Sequence, residues 1–167
     1  MIIISNASTL IYLAKVNRLH LLKDLFKKVI IPMEVYEEVV IRGIKDGFSD
    51  ARIVENAVKD GWIEVVKSPK DIRSEMKFKE LDYGEIAVLK LAEAYPNSLI
   101  LMDDASARKI AENLGYNVKG TFICHFISSQ KKNNFQKIAR EIINRLVSSG
   151  FRMSIELYIK VIEGLKE

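Results

Sequence analysis

Short apolar runs recur along the chain, each followed by turn-forming residues and then by a stretch with helical spacing. Ile2 to Ser5, Val29-Ile30-Ile31, Trp62 to Val66 and Leu99 to Met102 show little polar alternation, which predicts strands buried on both faces. Asn117 to Lys119 reads as a short fifth strand. Between them, Leu10, Leu13 and Ala14 give a helix over 9–16 its buried stripe, and Leu19, Leu22 and Phe26 do the same for 18–26. Pro32 suits the first turn of a helix running to about Ile41, and Gly61 the C′ position after a helix over 50–59. Asp82-Tyr83-Gly84-Glu85 opens an apolar helix to Ala94, and Ala107, Ile110, Ala111 and Leu114 mark the helix behind Asp104. Further helices are predicted over 122–130, 135–147 and 155–165, the last capped by Ser154. Arg42 to Phe48, with two glycines, reads as a mobile loop; Ser68 to Glu80 has no clear pattern.

Strands alternating with helices predict an α/β fold whose parallel sheet is covered on both faces. No repeat or linker divides the chain, so residues 1–167 are expected to form one domain. Residues 135–167 form a helical C-terminal extension in this reading, because consecutive helices without a strand break the alternation.

Composition narrows the function classes. With 49% hydrophobic and 29% charged residues the chain has the makeup of a folded domain, not of a disordered one. No run approaches the roughly 18 apolar residues of a membrane span, and Met1 to Ser5 lacks the basic start of a signal peptide. A lone cysteine, Cys124, cannot close an internal disulfide, which points to a reducing, cytoplasmic setting. The net charge of +4 is compatible with a polyanionic partner without demanding one.

Chemistry concentrates at strand ends. Asp103 and Asp104 directly follow the fourth apolar run, where ligands of open α/β sheets bind. One acid suffices to cap the next helix, and here there are two. Asn6 ends the first run, and Glu85 lies in the first turn before the fourth. Asp82 and Glu85 also have capping-box spacing, which accounts for that pair without a ligand. Glu37 and Glu38 flank the apolar face of their helix symmetrically, so periodicity leaves open which of them turns to the sheet edge. Clustered carboxylates repel unless a cation neutralises them, and oxygen ligands select Mg²⁺ or Mn²⁺. Other constellations fail: there is no nucleotide-binding glycine motif and no nucleophile elbow, and the adjacent Cys124 and His125 point to different faces.

The segments Ile-Ser-Asn-Ala-Ser-Thr-Leu-Ile (4–11), Ile-Pro-Met-Glu-Val-Tyr-Glu-Glu-Val (31–39), Leu-Asp-Tyr-Gly-Glu (81–85), Leu-Ile-Leu-Met-Asp-Asp-Ala-Ser-Ala-Arg (99–108) and Gly-Thr-Phe (120–122) together resemble PIN domains. The nearest likeness is to the prokaryotic branch with a Gly-Glu motif and a Gly-Phe-Arg-Met-Ser segment, 150–154 here. The resemblance implies a Rossmann-like three-layer α/β/α sandwich with a central, mainly parallel five-stranded sheet. It also implies a metal-dependent ribonuclease, often the toxin of a toxin–antitoxin pair. Asn6, Glu38, Glu85 and Asp104 fall on the four catalytic positions, with Asn6 departing from the usual acid. Glu38, Glu85, Asp103 and Asp104 would hold Mg²⁺ or Mn²⁺, with Asp82 a spare acid. Thr121 and Arg108 are candidates for binding substrate phosphate, and Lys15, Arg42, Lys45, Lys131 and Lys132 for tracking its backbone. The implied partners are RNA, an antitoxin protein and a second copy of the chain, with no membrane.

Two alternatives come from other classes. A non-catalytic PIN-like module would keep the fold and bind protein or RNA without hydrolysis, a reading that Asn6 favours. A phosphatase on a similar sheet would need a nucleophilic Asp at the end of the first strand, and Asn6 stands there instead.

Overall fold

The computed structural model describes residues 1–68, 80–120, 135–155 and 158–159. Its centre is a five-stranded sheet of β1 (Ile3–Ser5), β2 (Val29–Pro32), β3 (Ile63–Val66), β4 (Leu99–Leu101) and β5 (Asn117–Lys119), in the order β3-β2-β1-β4-β5. Every pairing is parallel, with Ile4 opposite Ile30 on one side and Ile100 on the other. The first, second and fourth strands are buried along their whole length, as their unbroken apolar runs require.

Successive strands need crossover helices. These are α1 (Ala7–Lys15), α2 (His20–Phe26), α3 (Met33–Tyr36), α4 (Gly43–Lys45), α5 (Ser49–Lys59), α6 (Tyr83–Ala94) and α7 (Ala105–Asn113); α8 (Phe135–Ser148) follows the sheet. α1 packs against α5, whereas α6 lies over β1 and β2 and against α3. Together they bury Leu10, Leu13, Leu22, Val35, Val54, Val88 and Leu91 against the strands and complete a three-layer α/β fold. The main core is thus built by the two helix layers closing on the sheet.

Arg42 to Phe48 departs from the expected loop. The chain stays helical from Met33 to Lys45, and between α3 and α4 residues Glu37–Arg42 form a π-helical turn with wider, i→i+5 hydrogen bonding. Gly43 is not a turn residue but a contact residue: a Cβ there would stand 2.7 Å from the Cβ of Ala51 in α5. The turn comes later, at Gly47 (φ +81), and the Phe48 N–H closes it by donating to the Gly43 carbonyl at 2.8 Å.

The extension is anchored by its own small cluster. Leu146 and Phe151 pack with Val16 beside Tyr12 and Met153, and the Tyr12 and Phe151 rings meet edge-on at 4.9 Å. Phe151 of the Gly-Phe-Arg-Met-Ser segment therefore ties the extension to α1. The expected helix over 122–130 and most of that over 155–165 lie outside the described residues.

Candidate active site

In this strand order the direction of winding reverses between β1 and β4, and a crevice opens beyond their carboxyl ends. Asn6 leaves β1 there as the N-cap of α1. Its Oδ1 accepts from the Thr9 N–H at 3.2 Å and from the Ser8 hydroxyl at 2.9 Å. A carbonyl oxygen has two lone pairs, so both are committed to starting the helix. Because the Thr9 N–H can only donate, the amide orientation is fixed, and its Nδ2 donors are left for the cavity that Asn6 lines.

Asp104, beyond β4, caps α7 by accepting from the Ala107 N–H at 2.8 Å. Asp82 and Glu85 form a full capping box on α6: Asp82 Oδ1 accepts from the Glu85 N–H at 2.8 Å, and Glu85 Oε2 from the Asp82 N–H at 3.2 Å. Each of these three carboxylates has a second oxygen outside these bonds. The π turn settles the acid that periodicity left open, since Glu37 is exposed while Glu38 is half-buried and faces the crevice.

These residues meet. Asn6, Glu38, Asp82, Glu85 and Asp104 line one cavity of about 180 Å³, with Ala7, Ser8, Ile11, Tyr12 and Gly84 completing its wall. Gly84 has a steric reason to be glycine: a Cβ there would lie 3.1 Å from Glu38 Oε2 and 3.4 Å from Asp82 Oδ1. Sequence reasoning counted it only as part of the Gly-Glu motif and gave it no steric role at the site. Tyr12, which it passed over, lines the cavity and donates from its hydroxyl to the Gly150 carbonyl at 3.3 Å, joining the site to the extension.

Crowding of like charge leaves its mark on the acids. Burial pushes the Glu85 carboxyl up to about 7, helped by the negative charges of Asp82, Asp104 and Glu38 against the opposing Asp82 N–H. Burial also raises Glu38, with Asp82 adding to it and the Arg42 guanidinium opposing. A site poised in this way gains from any positive charge it admits.

Among the described residues no group of three or more His, Cys, Asp or Glu side chains is arranged to hold a metal ion directly. A hydrated Mg²⁺-type ion asks less of a protein, since it takes one or two carboxylates and completes its shell with water. The oxygens of Glu85 and Asp104 left outside the capping bonds, and Glu38 in the same cavity, are the donors that could serve such an ion.

The remaining sequence candidates fall elsewhere. Asp103 does not line the cavity; its Oδ1 and the Arg108 Nη1 both stand over Gly120, 3.2 and 3.1 Å from where a Cβ would be. Arg108 therefore stands beside Asp103 and, like it, does not line the cavity. Thr121, Lys131 and Lys132 lie outside the described residues.

A Rossmann-like, all-parallel sheet with carboxylates gathered at its switch point defines an α/β protein whose chemistry is acidic and open to cations. A family model described as a PIN domain (DUF3368) matches residues 2–167, and the chain belongs to that family. The family is nuclease-like, and PIN domains commonly bind RNA and generally use divalent metal ions. No curated protein and no solved structure matches the chain well enough to add a named relative. No helix among the described residues is long and apolar enough to cross a membrane.

Proposed function

We propose that the protein is a metal-dependent endoribonuclease acting at the cavity between β1 and β4. The observation that carries this reading is convergence: side chains from four separate segments, distant in the chain, line one small acidic space. Glu38, Glu85 and Asp104 would hold Mg²⁺ or Mn²⁺, partly through water. A divalent ion bound there supplies Lewis acidity, lowering the pKa of water and neutralising charge on the attacked phosphodiester.

The chain's own residues do the rest. Glu85, its carboxyl raised by burial and by the surrounding acids, gains from a positive charge placed beside it. Asp82 keeps it so by charge and fixes its place through the capping box. Asn6 holds the start of α1 and offers its Nδ2 donors to a phosphate oxygen, a role that an uncharged amide fills without adding repulsion. Asp103, which does not line the cavity, is left out of the ion's ligands in this reading.

Cleavage of single-stranded RNA in Mg²⁺ or Mn²⁺ should be lost in Asp104→Asn and in Glu38→Gln. Asparagine still caps a helix, so Asp104→Asn should fold normally. Equal cleavage by the wild type and both variants would remove the site assignment.

Two observations favour a second reading, a binding module without hydrolysis: the Asn6 oxygen is fully engaged, and among the described residues no three carboxylates are set to grip an ion. Titration calorimetry with Mn²⁺ separates the two, because the module predicts no heat that vanishes with Asp104→Asn. The toxin role, the antitoxin partner and the homodimer rest on the family likeness. The exposed Ile155, Tyr158 and Ile159 of the extension supply an apolar face for such a partner.

A further inference from the structure

A second cavity, of about 260 Å³, opens directly beside the acidic one and shares Glu38 and Ile11 with it. Its other walls include Lys15 at the end of α1, Arg42 at the end of the π turn, Asp46 just after α4, and Phe48 and Asp50 at the start of α5. Its volume lies just below the roughly 300 Å³ at which small-ligand sites begin.

Among the described residues Phe48 has no structural task that explains it. It occupies the N-cap position of α5, where Ser, Thr, Asp or Asn would bond the helix N–H groups and Phe makes no cap. It is 54% exposed and takes no part in the core. The turn at Gly47 and the Phe48 N–H to Gly43 bond hold its backbone in place, so the ring is presented on a fixed support. Lys15 and Arg42 flank the same groove, and neither forms an ion pair among the described residues. Chain order hid this grouping, because Lys15 is far from the other two in sequence.

A planar ring, two cations and three carboxylates, one of them the shared Glu38, in a groove continuous with a phosphodiester site match the parts of one nucleotide. The ring offers a stacking face, tolerant of base identity. The cations suit the phosphate. Asp46 and Asp50 accept hydrogen bonds from amino groups on a base edge, as carboxylates do from cytosine N4. With three acids to two cations, the groove suits a nucleotide, whose base edge can donate to the acids, better than a bare polyanion.

We infer that this groove is the subsite for the nucleotide next to the bond being cut, and that it takes a single-stranded RNA whose base stacks on Phe48 while Lys15 and Arg42 hold its phosphate. This deepens the nuclease reading and rests on it for the neighbouring bond, but binding in the groove is measurable without cleavage. Duplex RNA, whose bases are already stacked, cannot satisfy Phe48.

The test uses the full chain carrying Glu85→Gln, so that binding is read without hydrolysis, and a fluorescein-labelled single-stranded oligoribonucleotide of mixed sequence. Phe48→Ala should weaken binding on the order of tenfold, as loss of one stacked base does. Phe48→Trp should restore it. Lys15→Ala and Arg42→Ala should each reduce the salt dependence of log K by about 0.7, the share of one phosphate contact on a single strand. Lys59→Ala, a paired lysine outside the groove, should leave the slope unchanged. Unchanged affinity in Phe48→Ala with an unchanged slope in Lys15→Ala and Arg42→Ala would overturn the inference and leave the groove to a protein partner. Equal binding of duplex would overturn it as well. In the otherwise wild-type chain, cleavage that is indifferent to Phe48 would sink the subsite alone. Phe48-dependent binding with no cleavage at all would sink the nuclease reading and leave the subsite standing.

Discussion

Replacing Glu85 with Gln should make the protein more stable at alkaline pH, not less. In the folded chain the Glu85 carboxyl is pushed from 4.5 to about 7 by burial and by neighbouring acids. Between those two values the unfolded chain has already released its proton while the folded chain still holds it. Stability is therefore fully present below about pH 4.5, and declines as the pH rises to and through 7. A shift of that size in a fully buried group would correspond to about 3 kcal/mol. Glu85 is half-exposed, and solvent screening reduces the figure to about 1 kcal/mol. Glu38, raised for similar reasons, adds to the same trend. Gln carries no charge at any pH, and its side-chain oxygen can still accept from the Asp82 N–H, so the capping box survives. Thermal melts followed by circular dichroism in chelator should show the two proteins alike near pH 4.5. Near pH 8 the variant should melt higher by about 2–4 °C, the change that 1 kcal/mol makes in a domain of this size. Adding Mn²⁺ at pH 8 should raise the wild type and close the gap, because an ion supplies the missing positive charge. A variant that melts below the wild type at pH 8, or a gap that does not depend on pH, would refute the reasoning.

Gly84→Ala should separate stability from chemistry. Alanine favours a helix by up to about 1 kcal/mol over glycine, but its Cβ, 3.1 Å from Glu38 Oε2, must displace that carboxylate by a few tenths of an ångström. The melting point should hold or rise while kcat/KM and Mn²⁺ affinity fall, on the order of ten- to a hundredfold in rate. Gly43→Ala should do the opposite, since a Cβ 2.7 Å from that of Ala51 forces α5 and the helical run apart. The cost of such overpacking is about 1–3 kcal/mol, read from the urea midpoint. Asp82→Asn retains a cap but removes a charge that raises Glu85, so the acidic limb of the pH–rate profile should move to lower pH; a limb that does not move would show that Asp82 acts only as a cap.

The sheet was legible because its central strands are buried on both faces and leave unbroken runs such as Leu99 to Met102, which nothing else in a folded domain of this kind explains as simply. The acids were legible because a sheet of that type brings its strand ends to one edge. What escaped was phase and contact. Glu37 and Glu38 differ by one step around a helix, and the π turn alters that step without any mark in residue type. Gly43 looked like part of a loop because glycine in a helix is usually a defect, and only its approach to Ala51 shows why it is there. Asp103 and Asp104 look equivalent as a pair, yet consecutive residues leaving a strand diverge, and one reaches the cavity while the other stands over Gly120. The grouping of Lys15, Arg42 and Phe48 depends on α1 lying beside α5, which no local pattern records.

The π turn between Tyr36 and Gly43 has a consequence for how this site can be gained or lost. Such a turn is what an ordinary helix becomes when one extra residue is threaded through it without breaking the rod. Deleting one residue from Glu37–Arg42 would let the segment relax to regular winding, with its far end still able to lie against α5. Everything before the deletion would then be rotated against everything after it, and Glu38 and the valines behind it could not both keep their places. A relative missing one residue here could share the whole architecture and most of its side chains, yet lack the acid that both cavities have in common.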